Sequence, residues 1–247
     1  LALQCRVLGL QPKVIELDNY FVDREHTPKD SDGNYDFEAL EAMNLKLLGE
    51  QLNDLLAGKE VELPKFDFKE GRGYPSGKRI SLGEKEILIM EGIHALNPEM
   101  VPDVDNSRIF RVYASALTSL NVDENNNIST SDNRLLRRMV RDNRVRGITP
   151  EETILRWHSV RRGENRNIFP FQENADANFN SALIYELPML KYYAEPLLRR
   201  ISPSSPAYTE AVRLLKFLDY IVALSPSEIA CIPPTSIMRE FIGGQTL

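Results

Sequence analysis

Glu86–His94 reads EILIMEGIH, and the fold turns on this stretch. Ile87 to Met90 is a nearly continuous apolar run, of the kind shown by a strand buried in a parallel sheet. The run stops at Glu91, with Gly92 behind it. An unpaired charge is costly at the end of such a strand, so an acid there usually faces a cation, a cluster of donors or water. Two readings of Glu91 stand side by side: a magnesium-site acid of a nucleotide-dependent enzyme, or a cap for the turn through Gly92.

Toward the amino terminus, Lys13–Leu17 (KVIEL) is a second β-rich run, and Asp18 and Asn19 close it. In an open α/β sheet ligands sit at the carboxyl ends of the strands. A carboxylate there can accept a proton from a hydroxyl or help position magnesium. Asp-Asn after a strand is also a common turn, and on this feature alone the turn is the simpler reading of Asp18. Leu1–Leu10 reads as the last turns of a helix already under way, stopped by Gly9. Asp36–Ala57 has helical periodicity, with Asp36 as N-cap, an interruption near Asn44 or Gly49 and Gly58 as terminator.

Val61–Phe68 and Arg79–Leu82 suggest a hairpin around the loop Lys69–Lys78. The stretch Lys69–Arg79, KEGRGYPSGKR, is not a phosphate-binding GxxxxGK[ST] loop, because Arg72 and Arg79 occupy the positions that need Gly and Ser or Thr; a lid or substrate loop is the better reading. Ser107–Ala114 predicts a further strand and Asn121–Asn133 a polar loop. Helices are expected over Asn133–Arg146, Pro150–Arg162, Leu187–Arg200, Tyr208–Tyr220 and Thr235–Phe241, with a strand at Ser181–Glu186. Without repeats or long linkers, residues 1–247 read as a single domain.

The chain is 42% hydrophobic and 27% charged, which excludes disorder as its main state. Cys5 and Cys231 support neither a disulfide framework nor a zinc ribbon, so a reducing compartment is expected. His26, His94 and His158 have no second His or Cys at metal-ligand spacing. No run approaches the roughly 18 apolar residues of a membrane span, and Leu1–Leu10 lacks the features of a signal peptide; the expected location is cytoplasmic.

The formal charge of −6 argues against a surface that coats nucleic acid. That average hides a segregation. Arg134 to Arg166 holds ten arginines, no lysine and four acids, hence +6, and the remaining 20 basic and 32 acidic residues give −12. On a helical wheel Arg134, Arg137, Arg138, Arg141 and Arg144 fall on one side, and Leu135, Leu136, Met139 and Val140 on the other. Like charges at this spacing each cost about 0.2–0.5 kcal/mol, so the face needs a reason. Exclusive use of Arg favours bidentate recognition of phosphate or carboxylate; pairing with acids from elsewhere in the chain is the alternative.

Five stretches in order, IELDNYF (15–21), GNYDFEALEAMN (33–44), LAGKEVELPKFDF (56–68), ILIMEGIHALN (87–97) and RLLRRMVRDNRVRG (134–147), resemble the successive motifs of the uridine kinase and phosphoribulokinase family. The later stretches 159–198 and 233–244 are similar to a bacterial uridine-kinase-like branch, often fused behind a region similar to part of threonyl-tRNA synthetase.

The resemblance implies an α/β fold of the P-loop NTPase type, three-layered, with a mainly parallel sheet, a helical lid and a helical carboxyl-terminal part. It implies ATP, Mg2+ and transfer of the γ-phosphoryl group to a hydroxyl of a nucleoside or related acceptor. By motif, Asp18 matches the catalytic base and magnesium-site acid, Glu91 the acid near magnesium, and Asp36 the acid that holds ribose hydroxyls. Arg134, Arg137, Arg138 and Arg141 match the lid arginines. Tyr20, Phe66, Arg72, Arg146 and Arg156 are further candidates for substrate contact.

Three departures qualify the resemblance. The first strand and GKS/T loop are not among the 247 residues, so the chain by itself is expected to bind ATP poorly and to be inactive. Phe66 and Gly71 stand where uridine kinases carry an aromatic-plus-histidine pair, which puts uridine itself in doubt. Arg156 replaces a glutamine, and with Arg161, Arg162 and Arg166 it favours an acceptor that already bears phosphate or carboxylate. Two other functions remain in view: a nucleotide-sensing or RNA-associated module without turnover, and a sugar-phosphate kinase similar to phosphoribulokinase. A homo-oligomer and a synthetase-like region in the same polypeptide are compatible partners.

Overall fold

The computed structural model describes residues 1–247 apart from 31–32, 84, 119–120, 122–123, 125–126 and 247. These residues cluster into two compact units, Leu1–Tyr113 with Arg162–Ala177, and Ala114–Arg161 with Asn178–Leu247.

In the first unit, helix α1 (Ala2–Val7) ends before Gly9, whose φ of 82° turns the chain into strand β1 (Gln11–Glu16). Strand β4 (Glu86–Glu91) pairs with β1 in parallel, from Gln11↔Glu86 to Glu16↔Glu91. Both strand ends therefore point the same way. Among the described residues β4 pairs with β1 alone, and its side chains are half-buried, with Ile87 40% exposed, where the apolar run predicted full burial. Strands β2 (Val61–Asp67) and β3 (Arg72–Ile80) form an antiparallel hairpin. Its turn is shorter than the predicted loop, because Asp67 Oδ1 accepts from the Lys69 and Glu70 N–H groups and Gly71 takes a φ of 72°. The core is built around Ile15, Leu17, Tyr20, Leu48, Leu52, Leu55 and Met100.

The long helix expected from Asp36 is corrected. Helix α2 spans Leu45–Leu56, and Asn44 caps it by accepting from the Leu47 N–H at 3.1 Å. Ahead of it, Ala39 and Met43 are extended around a short 3-10 turn. The cause is tertiary. Val22 N donates to Ala42 O, Asn44 N to Tyr20 O, and Phe21 bridges Met43, so this segment pairs with the chain that follows β1. Asn44→Ala is expected to cost about 1 kcal/mol in urea unfolding, the usual loss for an N-cap side chain.

In the second unit, α3 (Thr130–Arg141) continues into a π-turn over Asp142–Arg146, and Gly147 ends it in the left-handed region. Helix α4 runs from Pro150 to Asn167, extending past the unit boundary, and α5 (Glu186–Leu198), α6 (Tyr208–Leu218), α7 (Pro226–Ala230) and α8 (Met238–Ile242) complete the helices. Leu135, Leu136, Met139, Leu190, Ala194, Leu214 and Met238 are among its buried core.

The strand expected at Ser181–Glu186 lies earlier, at β6 (Ala177–Asn180), paired with β5 (Val112–Ser115). Asn180 Oδ1 then accepts from Leu117 N and Ala182 N and closes the ladder, which leaves Glu186 to start a helix. The polar loop Asn121–Asn133 lies partly outside the described residues, and its last four residues belong to α3. No helix among the described residues is long and apolar enough to cross a membrane.

Candidate active site

The parallel register of β1 and β4 gathers carboxylates at one edge. Glu91 is the last residue of β4 and lies opposite Glu16, the last of β1; Asp18 follows two residues on in a 3-10 turn, Leu17–Tyr20. Leu17 and Tyr20 are 1% and 2% exposed, so they anchor the turn while Asp18 stays at the surface. Gly92 is needed directly after β4, since a Cβ there would stand 2.7 Å from the Leu17 Cβ. Asn19 joins the turn to its surroundings: its Nδ2 donates to Glu16 at 3.0 Å, and its Oδ1 accepts from Phe66 N at 3.2 Å. Glu16 was not anticipated; its place at the end of KVIEL beside Asp18 was the available signal.

Tyr20 is buried, and its hydroxyl donates to Gln51 Oε1 at 2.7 Å while Gln51 Nε2 donates to Glu62 O. Burial pushes the phenol up to about 12. The hydroxyl thus braces the turn against α2 and β2, and the residue also lines a cavity of about 540 Å³ with Asn19, Phe21, Asp23, His26 and Gln51. Asp23, Glu25 and His26, in the next 3-10 turn, bring their oxygen and nitrogen atoms within 4.8 Å of one another.

Phe66 is 6% exposed and belongs to an aromatic group. Phe21 lies 5.7 Å from Phe66, 6.2 Å from Phe68 and 6.4 Å from Phe37, and Tyr35 lies 6.1 Å from Phe37. Tyr35, Phe37 and Phe68 keep 41%, 39% and 52% of their surface exposed. Asp36 sits between two of these rings in the chain, and its Oδ1 accepts from Glu38 N at 3.1 Å. Over Gly71 lies the side chain of Arg24, donating to Phe68 O at 2.8 Å. Arg72, exposed at the start of β3, lines a smaller hollow with Arg24, Glu25 and Tyr35.

The one-sided arginine face is corrected by the second unit. Arg137 is 8% exposed and is committed to Glu186, through its Nε and through Nη2 at 2.6 Å; Nη2 also donates to Ser181 O, and the guanidinium stands 5.2 Å from the Phe241 ring centroid. Asp142 is 1% exposed and pairs with Arg138 at 3.3 Å, Arg141 at 3.5 Å and Arg146 at 3.1 Å. Arg141 also meets Glu240 at 3.0 Å, and Arg144 donates to the Phe241 and Glu240 carbonyls. Acids from within the chain thus answer much of the cationic charge. Arg134 is half-buried on α3, and Arg156 is exposed on α4. The acids Asp18, Glu91 and Asp36 belong to the first unit and Arg134–Arg156 to the second.

Residues 14–185 match the Phosphoribulokinase / Uridine kinase family. A uridine kinase of Macrococcus caseolyticus is 31% identical over 169 residues, covering 68% of this chain and 73% of the relative. A uridine kinase of Staphylococcus epidermidis is 29% identical over 178 residues, covering 71% and 76%.

Proposed function

The chain belongs to the phosphoribulokinase and uridine kinase family and shares its α/β, P-loop kinase type of fold, and we propose that it transfers the γ-phosphoryl group of ATP to a hydroxyl of a ribose-containing acceptor. The observation that carries the reading is the convergence of Asp18 and Glu91 at the carboxyl ends of two paired parallel strands. In the proposed reaction the Asp18 carboxylate takes the proton of the acceptor hydroxyl. The hydroxyl oxygen forms a bond to the γ-phosphorus, and the bond between that phosphorus and the β,γ-bridging oxygen breaks to release ADP. Such transfer depends on positioning and charge stabilisation more than on covalent help from the protein.

The exposed oxygen donors of Glu91 and Asp18 suit Mg2+, a hard cation, which when bound neutralises charge on the phosphates. Asp36 is the proposed partner of the acceptor's ribose hydroxyls. The partly exposed aromatic surface of Tyr35 and Phe37, its neighbours in the chain, and of Phe68 in the same aromatic group suits the flat ring of a nucleoside better than a sugar phosphate. Arg134, Arg138 and Arg141 are proposed to answer phosphoryl charge. Arg137, held by Glu186, is proposed as a structural anchor.

The test is ATP consumption by the full-length protein against a panel of nucleosides, ribose derivatives and small alcohols, together with Mg·ATP binding. Turnover of a nucleoside is the expected result. Absence of any turnover with no Mg·ATP binding overturns the proposal, and tight RNA binding that falls steeply with salt would replace it with an RNA-associated role.

A further inference from the structure

The turn after β4 holds an imidazole that the proposed chemistry does not use. His94 is 1% exposed, and neither ring nitrogen has a hydrogen-bond partner of normal geometry among the described residues. Burial pushes its pKa down, ahead of the opposing influence of the Ala39 backbone and the carboxylates of Glu41 and Asp36. A neutral imidazole carries one N–H donor and one acceptor nitrogen, and leaving such groups buried and unpaired is costly. The Ala39 backbone and the Glu41 and Asp36 carboxylates, which act on this ring, belong to the segment 36–43.

That segment is tied down unevenly. Its end is fixed by the pairing of Ala42, Met43 and Asn44 with Tyr20–Val22. Its beginning is held by Asp36 N to Pro28 O at 2.8 Å and Asn167 Nδ2 to Glu38 O at 2.5 Å. At Ala39, between them, the carbonyl accepts a 3.2 Å bond from Ala42 N that closes the 3-10 turn. A carbonyl has a second lone pair, and His94 holds an unused donor.

We propose that His94 is a positioning residue for Asp36: its buried N–H donates to the Ala39 carbonyl and holds the segment 36–43 in place for the acceptor's hydroxyls to engage Asp36. The inference rests on the reading of Asp36 as the acceptor's partner. A small shift of this segment shortens the bond between ring and carbonyl, so the segment is already held in the empty site and is held more firmly when the site is filled. The turn holding His94 starts at Gly92, directly after Glu91, so the ring sits a few residues from the acid that ends β4.

The experiment compares His94→Phe, which fills the space without a donor, with His94→Gln, which keeps a neutral N–H. In the full-length protein, the Phe variant is expected to raise KM for the nucleoside turned over in the panel by about tenfold, the worth of one net hydrogen bond. KM for ATP stays within about twofold, and the Gln variant stays near the parent. Amide exchange, which needs no ligand, is expected to quicken in the Phe variant over 36–43 and not over the β2–β3 hairpin. Equal rises in both KM values, or exchange over 36–43 unchanged from the parent, would overturn the proposal. If the parent turns over nothing, the kinase reading fails, and the exchange comparison still decides whether His94 holds the segment.

Discussion

Asp18→Asn in the full-length protein is expected to lower kcat by about 10²–10⁴-fold, the usual worth of a positioned proton acceptor, with little change in unfolding temperature. The structure makes this a clean substitution. Asp18 is exposed, while its neighbours Leu17 and Tyr20 carry the packing of the turn. Asn keeps the size of the side chain and is at home in turns, so the fold should lose no more than about 0.5 kcal/mol, as for an ordinary surface change. What is lost is the carboxylate proposed to accept the hydroxyl proton. Steady-state ATP consumption beside a thermal melt separates the two effects. A kcat equal to the parent's would remove Asp18 from the mechanism and point to Glu16, the other acid at that strand end.

The second large effect lies in the buried pair of the helical unit. Glu186→Leu leaves the Arg137 guanidinium, whose side chain is 10% exposed, without its counter-charge. Breaking such a pair from one side costs about 3–5 kcal/mol, because the remaining charge stays desolvated, whereas replacing both partners with apolar residues of similar volume is often neutral. Urea unfolding should therefore show a large loss for Glu186→Leu and recovery of most of it in Arg137→Met/Glu186→Leu. A single-variant cost below about 1 kcal/mol, the range of exposed pairs, would show that the pair is solvated. The double variant also tests the role of Arg137: retained kcat marks it as an anchor, and lost kcat in a stable protein returns it to the phosphoryl site.

Some of this site was legible from residues alone. The apolar run before Glu91 and the β-rich run before Asp18 are local patterns, and a parallel pair places their following residues at one edge by geometry. The arginines of α3 were legible as a cluster but not in their partners. Periodicity put Arg137 with Arg134, Arg138 and Arg141 on one face, yet a wheel contains no information about residues 49 or 99 positions away, where Glu186 and Glu240 lie. Asp142 was countable in the sequence, but its near-complete burial among three arginines was not. Arg24 over Gly71 depends in the same way on a contact between a turn and a hairpin.

The sequence by itself determined the α/β class, two strands each closely followed by an acid, the helical second half and the family motifs, because these rest on short-range periodicity and on residues close in the chain. Only the tertiary structure decided where α2 begins, which arginines are consumed by carboxylates and how His94 faces the Asp36 segment. Each of those outcomes is set by desolvation and by hydrogen bonds between groups far apart in sequence. Asp36–Met43 shows the difference: its side-chain pattern suits a helix, and hydrogen bonds and a bridge to Tyr20–Val22 hold its end in a short 3-10 turn with extended flanks instead.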